Sequence, residues 1–187
     1  TVTPFSAIFN TDALSTYDLV IFCNTTGDVL SEQEQIAFKE WYSSGNKSFL
    51  GIHAAADTEA NWPWYQELIG AEYLGHPPFP IFPEGLQLDV KRISDNISVA
   101  HLPPVQQFTD EWFNFNITAE DLQYILTIDE RDYNAGVTAM GDFHPIAWCR
   151  EFENGKSYYM GMGHVINTVQ RWDYIKMLKG AMVWCLS

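Results

Sequence analysis

Hydrophobic and polar positions along this chain follow two different periods, and the switches between them mark its elements. Residues 18–23, Asp-Leu-Val-Ile-Phe-Cys, run apolar and β-branched almost without interruption, the pattern of a parallel strand covered on both faces. The run ends in the polar turn Asn24-Thr25-Thr26-Gly27. Ser31 and Glu34 make a capping-box pair, and Ile36, Ala37, Phe38, Trp41 and Tyr42 follow at helical spacing before Gly45. The helix they predict leads to a second apolar strand at residues 48–52, so the chain opens with a strand-helix-strand unit whose crossover is expected to be right-handed. In such a unit Asn24 and His53 end neighbouring parallel strands.

Further along, a helix is predicted at residues 62–69, with Pro63 in its first turn and Gly70 at its stop. Residues 75–83 are rich in proline, which excludes regular structure there. Leu86, Leu88 and Val90 alternate with Gln87, Asp89 and Lys91, the sign of a half-exposed strand. Residues 94–104 read as a loop with His101 on the surface, residues 109–115 and 122–128 as strands, and residues 131–142 as a glycine-containing loop. Two more strands, at 146–152 and 156–162, flank Glu153-Asn154-Gly155, a type I′ hairpin signal. With Asn154 and Gly155 as the loop, Pro145 falls opposite His164 and His144 opposite Val165, which makes the two histidines neighbours. A strand stub at residues 1–3, a helical turn within 9–15, and a closing helix at 173–184 with Ile175, Leu178, Met182 and Cys185 facing the core complete the pattern. Repeats, linkers and low-complexity tracts are absent. Residues 1–187 are therefore expected to form one α/β domain, with a mostly parallel sheet extended by an antiparallel hairpin.

Composition narrows what such a domain can do. A chain of 187 residues suffices for one sizeable core. Ten basic against 24 acidic side chains give a net charge of -14, with no basic patch, which argues against nucleic acid and anionic membranes as partners. No apolar run reaches the roughly 20 residues of a spanning helix. Seven Trp, nine Tyr and twelve Phe can fill the core, and are also what stacks on the apolar faces of sugars. Cys23, Cys149 and Cys185 are dispersed without metal-type spacing and read as buried free thiols. Four N-x-S/T sequons, at Asn24, Asn46, Asn96 and Asn116, point to a secreted glycoprotein, with Asn46 and Asn96 in loop-like settings that suit a glycan. The chain begins at Thr1 with no visible signal peptide and is expected to be processed or a fragment.

The candidate chemistry centres on residues 49–64, where an apolar run gives out at His53 and Asp57 just before a helix start. Strand carboxyl ends and helix amino ends meet at such points, and ligands of open α/β sheets bind there. His53, His144 and His164 all end strands or a hairpin, and with Asp57, Glu111 and His76 they are expected to gather at one end of the sheet. Imidazoles carry protons in either direction near neutrality, as chemistry on a sugar hydroxyl or on a carbon next to a carbonyl requires. Glu111 is the best-placed base and Asp57 an orienting group or acid, while Trp62, Trp64 and Trp112 supply a stacking wall. The purely structural alternative makes His53 a core histidine, Asp57 a helix cap, Trp62 and Trp112 core residues, and His76 an anchor of the proline-rich loop. A zinc-type site drawn from separate strands is a lesser alternative, because no H-x-H or H-x-x-x-H spacing announces it. No metal ligand is assigned from the sequence, and the cofactor stays unknown.

Taken together, Asn24-Thr-Thr-Gly-Asp-Val-Leu30, Gly51-Ile-His-Ala-Ala-Ala-Asp-Thr58, Trp62-Pro-Trp-Tyr65, Gly75-His-Pro77, Thr109-Asp-Glu-Trp112, His144-Pro-Ile-Ala-Trp148 and Gly161-Met-Gly-His164 resemble the ThuA-like family, named for trehalose utilisation, in order and over essentially the whole chain. The resemblance implies a flavodoxin-like three-layer fold of the class I glutamine amidotransferase type. Gly51-Ile52-His53 then stands where amidotransferases carry a Gly-x-Cys nucleophile elbow, and Gly163-His164 where they carry the general base. With imidazole in place of the thiol, amidase chemistry is not expected. The resemblance implies instead a carbohydrate-processing enzyme that hydrolyses, eliminates or isomerises a glycoside or keto-glycoside. His53, Glu111, His164, His144 and Asp57 would be catalytic, and Asn24, Thr25, Trp62, Trp64, His76 and Trp112 would bind the sugar. A non-catalytic sugar-binding module and a metal-assisted hydrolase are the alternatives. Family members usually begin about one βα unit ahead of the region matching Thr1, and an uncovered central strand would favour a homo-oligomer.

Overall fold

The computed structural model describes residues 1–77 and 85–187; the proline-rich stretch expected to be irregular lies largely outside them. A helical turn α1 (Thr11–Leu14) leads to strand β1 (Leu19–Cys23), helix α2 (Glu32–Ser43) and strand β2 (Ser48–Ile52). Residues 1–3 form no strand. The capping box is in place: Ser31 Oγ accepts from Glu34 N, and the Glu34 carboxylate accepts from Ser31 N. Helix α3 (Pro63–Ile69) stops at Gly70, and strands β3 (Ala71–Gly75), β4 (Leu86–Arg92), β5 (Val105–Asp110), β6 (Asn114–Ile117), β7 (Gln123–Ile128), β8 (His144–Phe152) and β9 (Gly155–Met160) follow. A short α4 (Ile166–Val169) and a long α5 (Trp172–Cys185) close the chain.

Seven strands form one sheet in the order β1-β2-β9-β8-β7-β4-β5. Only β1, β2 and β9 run parallel, while β8, β7, β4 and β5 add antiparallel pairings. The α/β class holds, but the sheet is mixed rather than mostly parallel. The continuous apolar runs of β1 and β2 did mark parallel strands, and the alternating pattern of β4 did mark an antiparallel one. The expected strand at 109–115 is two strands: β5 ends at Asp110, and β6 pairs with β3 in a separate two-stranded sheet. That break carries residues 111–113 out of regular pairing.

Side chains alternate between two aromatic-rich layers even in strands buried throughout. Leu50, Ile52, Tyr158 and Met160 face one layer with Phe108 and α5, whereas Phe49 and Tyr159 face the other with Phe22, Phe38, Tyr65 and Trp148. In α5 the buried stripe is Tyr174, Met177, Ala181 and Cys185; Cys185 is as expected from sequence, Leu178 and Met182 pack partly buried against the core, and Ile175 is intermediate in burial beside Tyr174. The expected set and the buried one both satisfy helical spacing, and only packing chooses between them. Cys149 and Cys185 are buried free thiols whose pKa desolvation pushes up to about 12, while Cys23 is exposed, contrary to expectation. Asn96 spends its side-chain amide internally, on Ser98 and Cys149, so a glycan there would break those contacts.

The hairpin register also differs from expectation. Phe152 pairs with Gly155 and Glu151 with Lys156, so the two loop residues are Glu153, at φ 48, and Asn154. Gly155 is the first strand residue, and its role is close approach rather than turn geometry: a Cβ there would collide with the Lys47 carbonyl and lie 2.8 Å from the Tyr42 ring. Gly155→Ala is expected to lose about 1–3 kcal/mol of stability in urea denaturation, because backbone cannot yield as a flexible side chain can. Exposed Asn154→Ala should lose less than about 1 kcal/mol in the same measurement.

Candidate active site

The site is built where β2 stops. Ile52 is its last residue, and His53 turns the chain with φ 50, a left-handed conformation that costs a non-glycine residue about 1–3 kcal/mol. Three contacts hold it there. Tyr159 Oη donates to the His53 carbonyl at 2.8 Å, His53 Nδ1 donates to the Gly161 carbonyl at 2.8 Å, and the ring packs 4.2 Å from that of Phe113. A carbonyl only accepts, so Nδ1 carries a hydrogen and Nε2 is the atom aimed into the site.

Nε2 meets Glu111. Its Oε2 lies 3.0 Å from His53 Nε2 and 3.4 Å from His164 Nδ1, and its Oε1 lies 3.9 Å from His76 Nδ1. Exposure grades outward, from 1% for His53 and 10% for Glu111 to 30% for His164 and 35% for His76, so a buried pair is reached from solvent past two imidazoles. Burial pushes the Glu111 carboxyl up, but the His53 hydrogen bond and the charges of His53, His164 and His76 outweigh it, and its pKa falls below the usual carboxylate value.

Asp110 brings these groups together. It is fully buried, and its carboxylate accepts from Gly163 N at 2.9 Å, His164 N at 3.0 Å, Val165 N at 3.2 Å and Glu111 N at 2.9 Å. Burial raises its pKa, against the lowering effects of nearby His53 and of these N–H groups. Gly163 can have no side chain: at φ 140 a Cβ would sit 2.8 Å from both Ile52 and the Tyr174 hydroxyl.

Around the cluster, Asn24 Nδ2 donates to the Gly163 carbonyl, Thr25 accepts from the Thr58 hydroxyl, and the Asp57 carboxylate accepts from Thr26 Oγ1 at 2.6 Å. Tyr73, its ring 4.4 Å from Phe113, has its phenol pKa pushed up to about 12 by burial and by the charges of Asp57 and Glu111. It is a neutral hydroxyl beside two carboxylates. A cleft of about 590 Å³ lies at the opposite, amino end of β2 and β9, but Lys47 there is paired with Asp18, and Lys156 bonds to Trp184 and Ser187.

The sequence profile of the family described as ThuA, trehalose utilisation, matches residues 1–185. The chain belongs to the ThuA family. Its role therefore lies in trehalose utilisation or wider carbohydrate metabolism. No curated protein matches the chain. Among solved structures it is similar to a ThuA-like protein of Bacteroides uniformis, with a TM-score of 0.79 at 21% identity over 99% of this chain and 76% of that one. A ThuA-like protein of Parabacteroides merdae aligns with a TM-score of 0.72 at 16% identity, over 93% and 72% of the two chains. A β-galactosidase of Bacillus circulans sp. alkalophilus gives 0.58 at 14% identity, over 95% of this chain and 23% of the enzyme. At these identities the likeness is one of fold.

Within this ThuA-family chain the structure brings His53, Glu111, His164 and His76 together, and it sends other expected site residues elsewhere. His144 is fully buried, with Nδ1 2.8 Å from Glu130 Oε1 and Nε2 donating to the Phe113 carbonyl at 2.9 Å. The expected register with His164 fails because β9 stops at Met160, opposite Ala147, so neither histidine is paired between β8 and β9, and on its other edge β8 sets His144 opposite Ile128. Trp112 is 2% exposed and donates to the Leu86 carbonyl; Trp64 is 6% exposed, donates to Glu153 and packs on Tyr42. Partly buried Trp62 lies against Trp64 and Tyr65. The expected aromatic wall is core, as burial of large rings favours. Asp110, Tyr73 and Phe113 were missed, although Asp110 stands beside Glu111 in a motif already singled out.

Asp110→Ala strands four backbone N–H groups and is expected to destabilise the fold by roughly 3 kcal/mol or more in urea, with Asp110→Asn, which keeps an acceptor oxygen, losing less. Desolvation lowers the His144 pKa from its ordinary 6.5. The unfolded chain then takes up this proton first, so stability is full above about pH 6.5 and falls as pH drops below it. The melting temperature measured from pH 7.5 to 5.5 should fall less steeply in His144→Gln than in the parent chain.

Proposed function

We propose that the protein is a carbohydrate-processing enzyme whose reacting centre is the Glu111 cluster and whose substrate class is a keto-glycoside. The observation carrying this reading is one carboxylate shared among three imidazoles, His53 at 3.0 Å, His164 at 3.4 Å and His76 at 3.9 Å, in a chain of the trehalose-utilisation family. Glycosidases that hydrolyse unmodified glycosides use two carboxylates about 5–10 Å apart across the scissile bond. Here the second candidate, Asp57, is engaged by the Thr26 hydroxyl. A lone carboxylate among imidazoles suits a different step. A ring carbonyl acidifies the adjacent C–H; Glu111 takes that proton, the C–H electrons form a C=C bond, and the glycosidic C–O electrons leave with the second sugar's oxygen, protonated by an outer imidazole. The products are an unsaturated keto-sugar and a free hydroxyl, and without a leaving group the same proton transfer gives isomerisation.

The left-handed turn at His53 supports the reading. By the resemblance to amidotransferases it corresponds to the elbow that holds their thiol nucleophile, and an imidazole pinned there by Gly161 serves proton transfer better than acyl transfer. A non-catalytic sugar-binding module would need an exposed aromatic wall, and Trp64 and Trp112 are buried.

Incubation with a keto-disaccharide in D2O, followed by NMR, tests the step. The expected result is loss of the C–H signal next to the carbonyl with appearance of the unsaturated keto-sugar on cleavage, or deuterium at that carbon on isomerisation. His53→Ala should lose turnover by about 100-fold or more while retaining disaccharide binding. Full turnover in that variant, or cleavage of unoxidised disaccharides alone, would overturn the reading.

A further inference from the structure

We infer that His53, Glu111 and His164 are the protein's ligands to one divalent first-row transition cation of the zinc type. One nitrogen of each ring and one carboxylate oxygen lie within 4.8 Å of one another, and among the described residues no other such group occurs. The three come from separate places in the fold, the end of β2, the end of β5 and the turn after β9, which is why no spacing in the sequence shows them.

The geometry fits a cation better than a set of ion pairs. Both imidazoles approach the same oxygen, Glu111 Oε2, at 3.0 and 3.4 Å. Charge-assisted hydrogen bonds to carboxylates are shorter, about 2.7–2.9 Å. Ligands that each stand roughly 2.0–2.1 Å from a tetrahedral zinc lie about 3.3 Å from one another, close to the 3.0 and 3.4 Å between Glu111 Oε2 and the two imidazole nitrogens, which themselves lie within 4.8 Å of each other.

The supporting contacts are those a metal site needs. His53 donates Nδ1–H to the Gly161 carbonyl at 2.8 Å, the outer contact that fixes a ligating imidazole with its other nitrogen toward the metal. Asp110 fixes the other two ligands from behind, accepting from the backbone N–H of both Glu111 and His164. Two imidazoles and a carboxylate form a mixed N/O set suited to zinc, iron, cobalt or manganese, and three protein ligands leave coordination positions open. The graded exposure of His164 and His76 places those positions toward solvent.

For its chemical role, though not for cation binding itself, this inference rests on the carbohydrate reading. A cation held by these three ligands would polarise a sugar carbonyl or hydroxyl oxygen at an open coordination position, and Glu111 would then serve as a ligand in place of the base of the proposed step. His76, 3.9 Å from Glu111 Oε1, is then the imidazole left to carry a proton.

The test is a titration of untagged, chelator-stripped protein with Co2+, read by visible absorption and reversed by Zn2+. One saturable equivalent is expected. His164→Ala, at a partly exposed position, and the isosteric Glu111→Gln should each weaken binding by more than about 100-fold, beyond what loss of an outer contact alone costs. His101→Ala, an exposed histidine bonded to the Asp173 carbonyl, should leave the titration unchanged. Absence of saturable binding, or binding that survives in both ligand variants, overturns the inference. Turnover of a keto-disaccharide by the same samples separates the two readings. Turnover without cation binding ends the cation assignment alone, and cation binding without turnover of any glycoside or keto-glycoside ends the carbohydrate reading alone.

Discussion

A buried carboxylate satisfied by backbone amides holds this structure's working end together. Asp110 receives backbone N–H groups from residues 163–165 and from Glu111, so it joins the end of β5 to the turn that follows β9. Desolvating a carboxylate is expensive, and several oriented amide dipoles are what makes it tolerable. Because those amides belong to His164 and Glu111 themselves, satisfying Asp110 sets where both side chains start. Gly163 lets the same turn press against Ile52 and Tyr174, and so against the strand that presents His53.

From that constraint the chemistry follows. His53 accepts a costly backbone conformation, paid for by Tyr159 and Gly161, and in return aims one defined nitrogen at Glu111. The break between β5 and β6 frees residues 111–113 to cross the end of β2, bringing a carboxylate and the Phe113 ring onto the imidazole. Two further imidazoles stand between this pair and solvent. On the carbohydrate reading proposed above, a proton or a cation in this small space would let the cluster act on an oxygen-rich substrate.

His144 shows how near a structural pair comes to imitating a functional one. It too faces a glutamate, but Glu130 also accepts from Met140 N and Gly141 N of the loop that precedes β8. Its contacts are consumed in tying that loop to the start of β8. The two pairs match in composition and burial, at 1% and 10% exposure against 0% and 10%; the difference lies in their neighbours, two partly exposed imidazoles around Glu111 and loop backbone N–H groups around Glu130.

Local signals on their own determined much of the scaffold. The apolar runs of β1 and β2, the Ser31 capping box, the proline and glycine that bound α3, and the strand-end positions of Asn24 and His53 all follow from short-range preferences of the backbone. Motifs taken jointly also carried the family. What only the tertiary structure decided were matters of register and packing: that the hairpin turns at Glu153 and Asn154, that α5 buries Tyr174 and Met177 more fully than Ile175 and Leu178, that the tryptophans belong to the core, and that Asp110 is the clamp. A one-residue shift leaves a helical or hairpin pattern equally plausible along the chain, whereas volume and unsatisfied hydrogen bonds in a folded interior admit one solution.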